Sequence, residues 1–198
     1  MNLIFIGPQG SGKGTQAKII SEKLNLCHIS TGDLLRNVKG NLKEEVDSYI
    51  NVGKLVPDEL ILKILIKELK KCKKGFILDG FPRNVTQAKK LKDLININKV
   101  IEINITDKQA IKRITSRISC KNCGAVFNKI TNPPKIEGVC DSCKDKLYVR
   151  DDDKEEFVKK RLNIYHNETE PILEIYDSIR VDGFQEIDKV AREILEKL

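Results

Sequence analysis

"GPQGSGKGTQ", residues 7–16, governs how the rest of the chain is read. It lies between an apolar run, "NLIFI" (2–6), and an amphipathic one, "KGTQAKIISEKL" (13–24). The first ends in glycine and reads as a buried strand. The second puts Ala17, Ile20 and Leu24 on one side, as a helix does. Gly7, Gly10, Gly12 and Gly14 let the intervening backbone curl tightly and approach a ligand. Curled N–H groups and a helix N-terminus together form an anion nest, and Lys13 adds a mobile positive charge. A bare glycine turn needs no lysine; strand, loop and helix in this order are the setting of a phosphate-binding loop. One part is displaced. The pattern G-x-x-x-x-G-K-[S/T] wants a hydroxyl after Lys13 to hold magnesium. Gly14 stands there, and the hydroxyl arrives one place late, at Thr15.

The alternation continues outward. "GFILDG" (75–80) and "VIEINI" (100–105) read as further buried strands, and "CHIS" (27–30) and "IRVD" (179–182) as shorter ones. Residues 58–71 carry Leu60, Ile61, Ile64, Leu65 and Leu69 at helical spacing, and 185–198 carry Ile187, Val190, Ile194 and Leu198. Strands alternating with helices predict a three-layer α/β fold on a mostly parallel sheet. From Ser119 to Arg150 the helical period is lost, which marks a small insertion.

A chain of 198 residues can bury one core and carry such an insertion. It is 40% hydrophobic and 33% charged, and no apolar run approaches the ~20 residues of a membrane helix. The start has no basic n-region or small-residue cleavage site. The expectation is a cytoplasmic protein that makes no use of a membrane. Lys and Arg exceed Asp and Glu by 36 − 29 = 7. That suits anionic partners, nucleotides or nucleic acid among them, and equally a set of solvated, lysine-rich helix faces.

"CKNC" (120–123) and "CDSC" (140–143) place Cys120, Cys123, Cys140 and Cys143 as two metal knuckles. Four thiolates suit zinc first and iron second. With every position filled by cysteine, no site is left for water, so the metal is structural. About 30 polar residues bury too little apolar surface to fold without a staple. Zinc ribbons also bind nucleic acid, but here Lys129, Lys135 and Phe127 are all the basic and aromatic residues between the knuckles. Cys27 and Cys72 stand apart and are expected as thiols of the core, since a reducing compartment disfavours disulfides.

Three further motifs complete the pattern: "ISTGDLLR" (29–36), "GKLVPDE" (53–59) and "DGFPRNVTQA" (79–88). Arg36 and Arg83 can each hold a phosphate in bidentate fashion. Gln87, one turn beyond Arg83, offers the donor and acceptor that adenine's N1 and N6 require. Thr31 or Asp33 would also serve to cap a helix over "DLLRNV". Arg113 and Arg117, four apart, are read as sharing a helix face.

With "GKGTQ", these motifs resemble the adenylate kinases along essentially the whole chain. The resemblance implies Mg²⁺-dependent transfer, ATP + AMP ⇌ 2 ADP, by a cytoplasmic monomer that binds neither nucleic acid nor membrane. It implies a core of residues 1–29, 57–115 and 154–198, an AMP-binding arm (30–56) and a zinc-stapled lid (116–153). ATP contacts fall on Gly10, Ser11, Gly12, Lys13, Gly14, Thr15, Arg113, Arg117, Val126 and Phe127, and on the backbone carbonyl of Gln185. AMP contacts fall on Thr31, Arg36, Lys54, Leu55, Val56, Gly80, Phe81, Pro82, Arg83, Gln87, Arg150 and Arg161. The catalytic cations are Lys13, Arg83, Arg113, Arg117, Arg150 and Arg161. Asp79 is given to the magnesium water shell, with Asp33 a weaker candidate. Asp152 and Asp153 hinge the lid and pair with its arginines. Three features depart from the family: Gln9 where proline is frequent, an extra Asp151, and a shorter stretch between Arg36 and Gly53. A kinase for another nucleoside monophosphate and a zinc-ribbon, nucleic-acid-dependent ATPase are the alternatives.

Overall fold

Leu3 and Phe5 face one side of the first strand, Ile4 and Ile6 the other, and all four are buried. A strand covered on both faces needs helices on both sides, and the chain supplies them. The computed structural model describes residues 1–38, 40–50, 56–150 and 153–198. The side chain of Arg36, and Lys54, Leu55, Asp151 and Asp152, lie outside the described residues.

In chain order the elements are β1 (Asn2–Ile6), α1 (Lys13–Leu24), β2 (Cys27–Ser30), α2 (Thr31–Asn37), α3 (Asn41–Ile50), α4 (Asp58–Leu69) and β3 (Phe76–Asp79). There follow α5 (Val85–Leu94), β4 (Lys99–Asn104), α6 (Asp107–Thr115), β5 (Arg117–Cys120), β6 (Val126–Asn128) and β7 (Leu147–Tyr148). After α7 (Glu155–Ile164) come a π-helical turn (Tyr165–Thr169) and a 3₁₀ turn (Glu170–Glu174), then β8 (Ser178–Asp182) and α8 (Ile187–Lys197).

The main sheet is parallel, in the order β2-β3-β1-β4-β8. On one face Leu62 and Leu65 of α4, Leu91 of α5 and Ile172 close over Ile4, Ile6 and Leu78. On the other, Ala17 and Ile20 of α1 and Val190 and Ile194 of α8 cover Leu3, Phe5 and Ile101. Each buried Val, Leu or Ile contributes about 1.5–3 kcal/mol relative to exposure, so the two faces hold the helices firmly. The strand order reverses at β1, which pairs with β3 on one side and β4 on the other. The crevice beyond the strands' carboxyl ends at that point is where such sheets bind ligands.

Two satellites leave this frame. α2, α3 and α4 share a small core of Val46, Val56, Leu60 and Ile64. The insertion forms an antiparallel sheet, β6-β5-β7, over Ile118, Phe127, Cys120 and Cys140.

Two expectations are corrected. Arg113 and Arg117 do not share a helix: α6 ends at Thr115, Ser116 leaves helical geometry, and Arg117 opens β5. The Thr115 hydroxyl donates to the Ile111 carbonyl at 2.9 Å and the Ser116 hydroxyl to the Lys112 carbonyl at 2.8 Å, and both compete with the backbone there. Cys27 and Cys72, expected as free thiols, form a disulfide with Cα atoms 5.8 Å apart. Pairing of β2 with β3 sets Cys27 opposite Phe76, close to the turn that carries Cys72. Both still pack against the core.

Candidate active site

The loop after β1 curls because Gly10 and Gly12 take left-handed φ values of 82° and 94°. A side chain at Gly10 would press on the Ala110 carbonyl at 3.1 Å. Gly12 is the N-cap of α1, so the first N–H groups of that helix stay free for an anion. The Lys13 ammonium curls back to the Pro8 carbonyl at 3.4 Å. Burial pushes its pKa down; Asp79 opposes that, while Arg83, Arg117 and Arg161 add to it. The buried Ser11 hydroxyl has no hydrogen-bond partner among the described residues.

Gly14 now has a physical reason. A Cβ there would sit 3.1 Å from Oδ2 of Asp79, at the end of β3. A serine or threonine after the lysine would crowd the carboxylate, and glycine leaves the space open. On its other side Asp79 Oδ2 lies 3.8 Å from Nε2 of His28, on the neighbouring strand. Nothing in the sequence singles out His28, whose relevance depends on strand pairing.

Beyond β3 the chain turns through Gly80, with φ 83°, and a cis Phe81–Pro82 peptide. Arg83 Nε donates to the Gly80 carbonyl at 2.9 Å. Burial lowers its pKa, Asp79 raises it and Arg161 lowers it further. Thr169, from the π-helical turn, donates its hydroxyl to the Arg83 carbonyl at 2.6 Å. Gln87 is buried, and both ends of its amide are held. Oε1 accepts from the Arg83 N–H at 2.7 Å, and Nε2 donates to Asp58 Oδ1 at 2.6 Å. A carboxylate only accepts and a backbone N–H only donates, so the amide cannot be flipped. Asp58 is a partner of Gln87 that sequence reasoning misses, although it lies within "GKLVPDE". Thr31 is buried, and its hydroxyl has no partner among the described residues. The cap of α2 is neither Thr31 nor Asp33 but Ser30, whose hydroxyl accepts from Asp33 N–H at 3.4 Å. Val56 is buried beside α4.

The arginines arrive from separate elements. Arg117 of β5 and Arg161 of α7 meet at Asp153, which is 3% exposed. Arg117 Nε is 2.9 Å from Asp153 Oδ2, and Arg161 is 3.5 Å from Oδ1. Arg113 of α6 instead spans the phosphate loop and the turn after β8. Its Nη1 donates to Gly183 at 2.8 Å and to Gly10 and Ser11 at 3.4 Å. Burial lowers its pKa, with Asp182 opposing. Asn128 donates to the Arg113 carbonyl at 2.9 Å and so ties the small sheet to α6. Val126 is exposed, whereas the Phe127 ring is buried inside the small sheet. Gln185 turns its side chain to Glu193 at 2.7 Å, leaving its backbone as the part that can face outward.

The four knuckle sulfurs lie within 4.8 Å of one another. Cys120 and Cys143 are 3.4 Å apart, and Cys123 and Cys140 3.5 Å. The two knuckles repeat one turn. Gly124 and Lys144 are left-handed, with φ 73° and 65°, and donate to the Cys120 and Cys140 carbonyls at 3.2 and 2.9 Å. Cys120 and Cys140 donate to Ala125 and Asp145 at 2.9 and 2.8 Å. The Cys143 and Ser142 N–H groups hold the Cys140 thiol down to about 7, although burial opposes them. Tetrahedral zinc with Zn–S of about 2.3 Å needs sulfurs about 3.8 Å apart, which this cluster fits.

Comparison with known proteins agrees with the site. The family model described as adenylate kinase matches residues 5–181. A protein named adenylate kinase from Archaeoglobus fulgidus is 46% identical over 215 residues, covering 100% of this chain and 99% of its own. One of the same name from Caldicellulosiruptor bescii is 44% identical over 212 residues, covering 100% and 99%. Another, from Methanocella arvoryzae, is 45% identical over 208 residues, covering 98% and 96%. A phosphate loop, a fixed amide and converging arginines, on a sequence shared this fully, have one explanation: the chain belongs to the adenylate kinase family.

Proposed function

We propose that the protein transfers the terminal phosphoryl group of ATP to AMP, reversibly, giving two ADP. The observation that carries this reading is the Gln87 amide, fixed beside Arg83 just beyond the strand whose end, Asp79, meets the phosphate loop at Gly14. An oxygen of the AMP phosphate bonds to the γ-phosphorus as the bond from that phosphorus to the β-bridging oxygen breaks. The acceptor is already an anion, so no base is required. Charge spreads over the equatorial oxygens in transit, and fixed cations with oriented N–H groups supply most of the catalysis. The loop N–H groups, Ser11 and Lys13 would hold the donor phosphates. Arg36 and Arg83 would hold the acceptor phosphate, and Arg117, Arg150 and Arg161 would close on the moving group. Magnesium arriving with ATP neutralises phosphate charge; Asp79, beside the space left by Gly14, is the residue that would hold it, through water.

Gln87 would read adenine. Asp58 and the Arg83 N–H occupy one valence at each end of the amide. The second Nε2 hydrogen stays available to N1, and the second Oε1 lone pair to the N6 amine. Guanine presents the reverse polarity. We further infer an AMP-binding arm over 30–56 and a lid over 116–153, supported by their separate small cores. The cysteine cluster would hold structural zinc, with no position open for water. A monomer working in the cytoplasm follows from the resemblance, and no described helix is long and apolar enough to cross a membrane. The test is ADP formation with ATP and Mg²⁺, offering AMP, GMP, CMP and UMP in turn. Turnover is expected with AMP. Preference for another acceptor overturns the reading of Gln87, and nucleic-acid-stimulated hydrolysis without AMP overturns the kinase.

A further inference from the structure

Thr169 stands in none of the sequence motifs, yet it touches Arg83. The main chain of Arg83 is held at both ends: its N–H donates to Gln87 Oε1 at 2.7 Å, and its carbonyl accepts from the Thr169 hydroxyl at 2.6 Å. The side chain is held at a third point, Nε donating to the Gly80 carbonyl at 2.9 Å. Nε is thereby occupied, which leaves the two terminal nitrogens of the guanidinium for a ligand. Helix α5 does not supply the donor that Thr169 supplies. It takes Asn84 as its N-cap, and its first backbone bond runs from the Ala88 N–H to the Asn84 carbonyl at 3.0 Å. The Arg83 carbonyl lies one residue before that ladder, so its donor comes from another element.

That element is the turn after α7. Pro171 has no N–H and so cannot continue the α-helix. The chain passes instead through a π-helical turn, Tyr165–Thr169, and a 3₁₀ turn, Glu170–Glu174. Such π turns are frequent at functional sites. This one is anchored on three sides. Tyr165 is buried, with its hydroxyl 3.4 Å from Glu102 Oε1 of β4. His166 bonds Asp107 of α6 at 2.9 Å, and Ile172 is buried in the same core as Leu91 of α5. We infer that Thr169 is a positioning residue of the acceptor site: its hydroxyl fixes the Arg83 carbonyl and so aims the Arg83 guanidinium at the acceptor phosphate. This rests on the assignment of Arg83 to that phosphate under the kinase reading above. Without the hydroxyl, the Arg83 peptide is held at one end only. The acceptor is then bound more weakly, while the donor side, where Arg113 bonds the phosphate loop, is untouched.

The test is calorimetric binding of AMP and of ATP, each alone, to the full-length protein, wild type, T169V and T169S, together with steady-state KM for both nucleotides. Valine keeps the shape and removes the hydroxyl; serine keeps the hydroxyl. The loss of one neutral hydrogen bond predicts that T169V weakens AMP about 2- to 12-fold. KM for AMP should rise with it, while ATP affinity and KM for ATP stay as in the wild type. T169S should bind AMP nearly as the wild type does. Unchanged AMP affinity in T169V overturns the proposal. Equal loss of AMP and ATP also overturns it, as does T169S behaving like T169V, because Thr169 would then act by packing and not through its hydroxyl. A wild type that does not bind AMP refutes the kinase reading and this inference together. A wild type that binds and phosphorylates AMP, matched by T169V, refutes this inference alone.

Discussion

Gln87 is a buried amide held at both ends. Its amide has a fixed sense because Asp58 lies at 2.6 Å on one end and a backbone N–H at 2.7 Å on the other. A hydrogen bond to a charged group contributes about 1.5–3 kcal/mol. Asp58→Ala should therefore raise KM for AMP by about 10- to 100-fold, as the amide becomes free to turn. The preference for AMP over GMP should shrink with it, while ATP binding holds. Initial rates with both acceptors check this; an unchanged AMP-to-GMP ratio would show that something other than Asp58 sets the amide. The family motifs point to Gln87 from sequence alone. Asp58 stands within one of those motifs but carries no signal of its own, because the contact joins residues 29 apart on two helices. Ser30 shows the same limit in small: Thr31 and Asp33 are equally good caps by residue type, and only the end of β2 selects Ser30.

The elements are legible where period is strong. "NLIFI" and "KGTQAKIISEKL" are β1 and α1 to the residue. They are not legible where hydroxyls end a helix early, so Arg117 lies in a strand and reaches Asp153 from there. Nor can the disulfide be read from sequence, because strand pairing brings its cysteines together. That bond closes the chain around α2, α3 and α4, a separation of 45 residues. Its reduction should lower unfolding stability by roughly 2–4 kcal/mol, measured as the urea midpoint with and without reductant. The double variant Cys27→Ser/Cys72→Ser should start at the lower midpoint and show no such loss; equal loss in both proteins would refute the assignment.

A second link between elements depends on pH. His166, on the π-helical turn, faces Glu170 at 2.7 Å and Asp107 of α6 at 2.9 Å. These hydrogen bonds raise its pKa, Glu170 first and Asp107 second, with slight burial opposing. Arg180 lies 3.9 Å from Glu170 and shares that carboxylate. A raised folded pKa gives stability that is complete below the unfolded value, about 6.5, and is lost as pH rises through the folded one. The effect is small because the histidine side chain is 43% exposed. Midpoints measured from pH 6 upward should fall for the wild type and fall less for H166Q; parallel curves would remove His166 from the account.

At the scale of the molecule, the three-layer fold and the inserted segment are both visible in the sequence, the first from alternation and the second from its loss. The order β2-β3-β1-β4-β8 is not, since short apolar strands carry no record of their neighbours. That order places the phosphate loop at the reversal point, Arg83 and Gln87 to one side and Arg113 to the other. The inserted sheet is fastened to this centre through Asn128 to Arg113 and through Arg117 to Asp153. Arg113 and the inserted segment are thus linked to the phosphate loop, and the central claim is that phosphoryl groups pass between two nucleotides there. The most direct measurement starts from ADP alone with Mg²⁺ and follows the nucleotides by ³¹P NMR. The account predicts ATP and AMP appearing in equal amounts with no inorganic phosphate, and loss of this exchange in Lys13→Met. Release of inorganic phosphate, or ADP that stays unchanged, would contradict it.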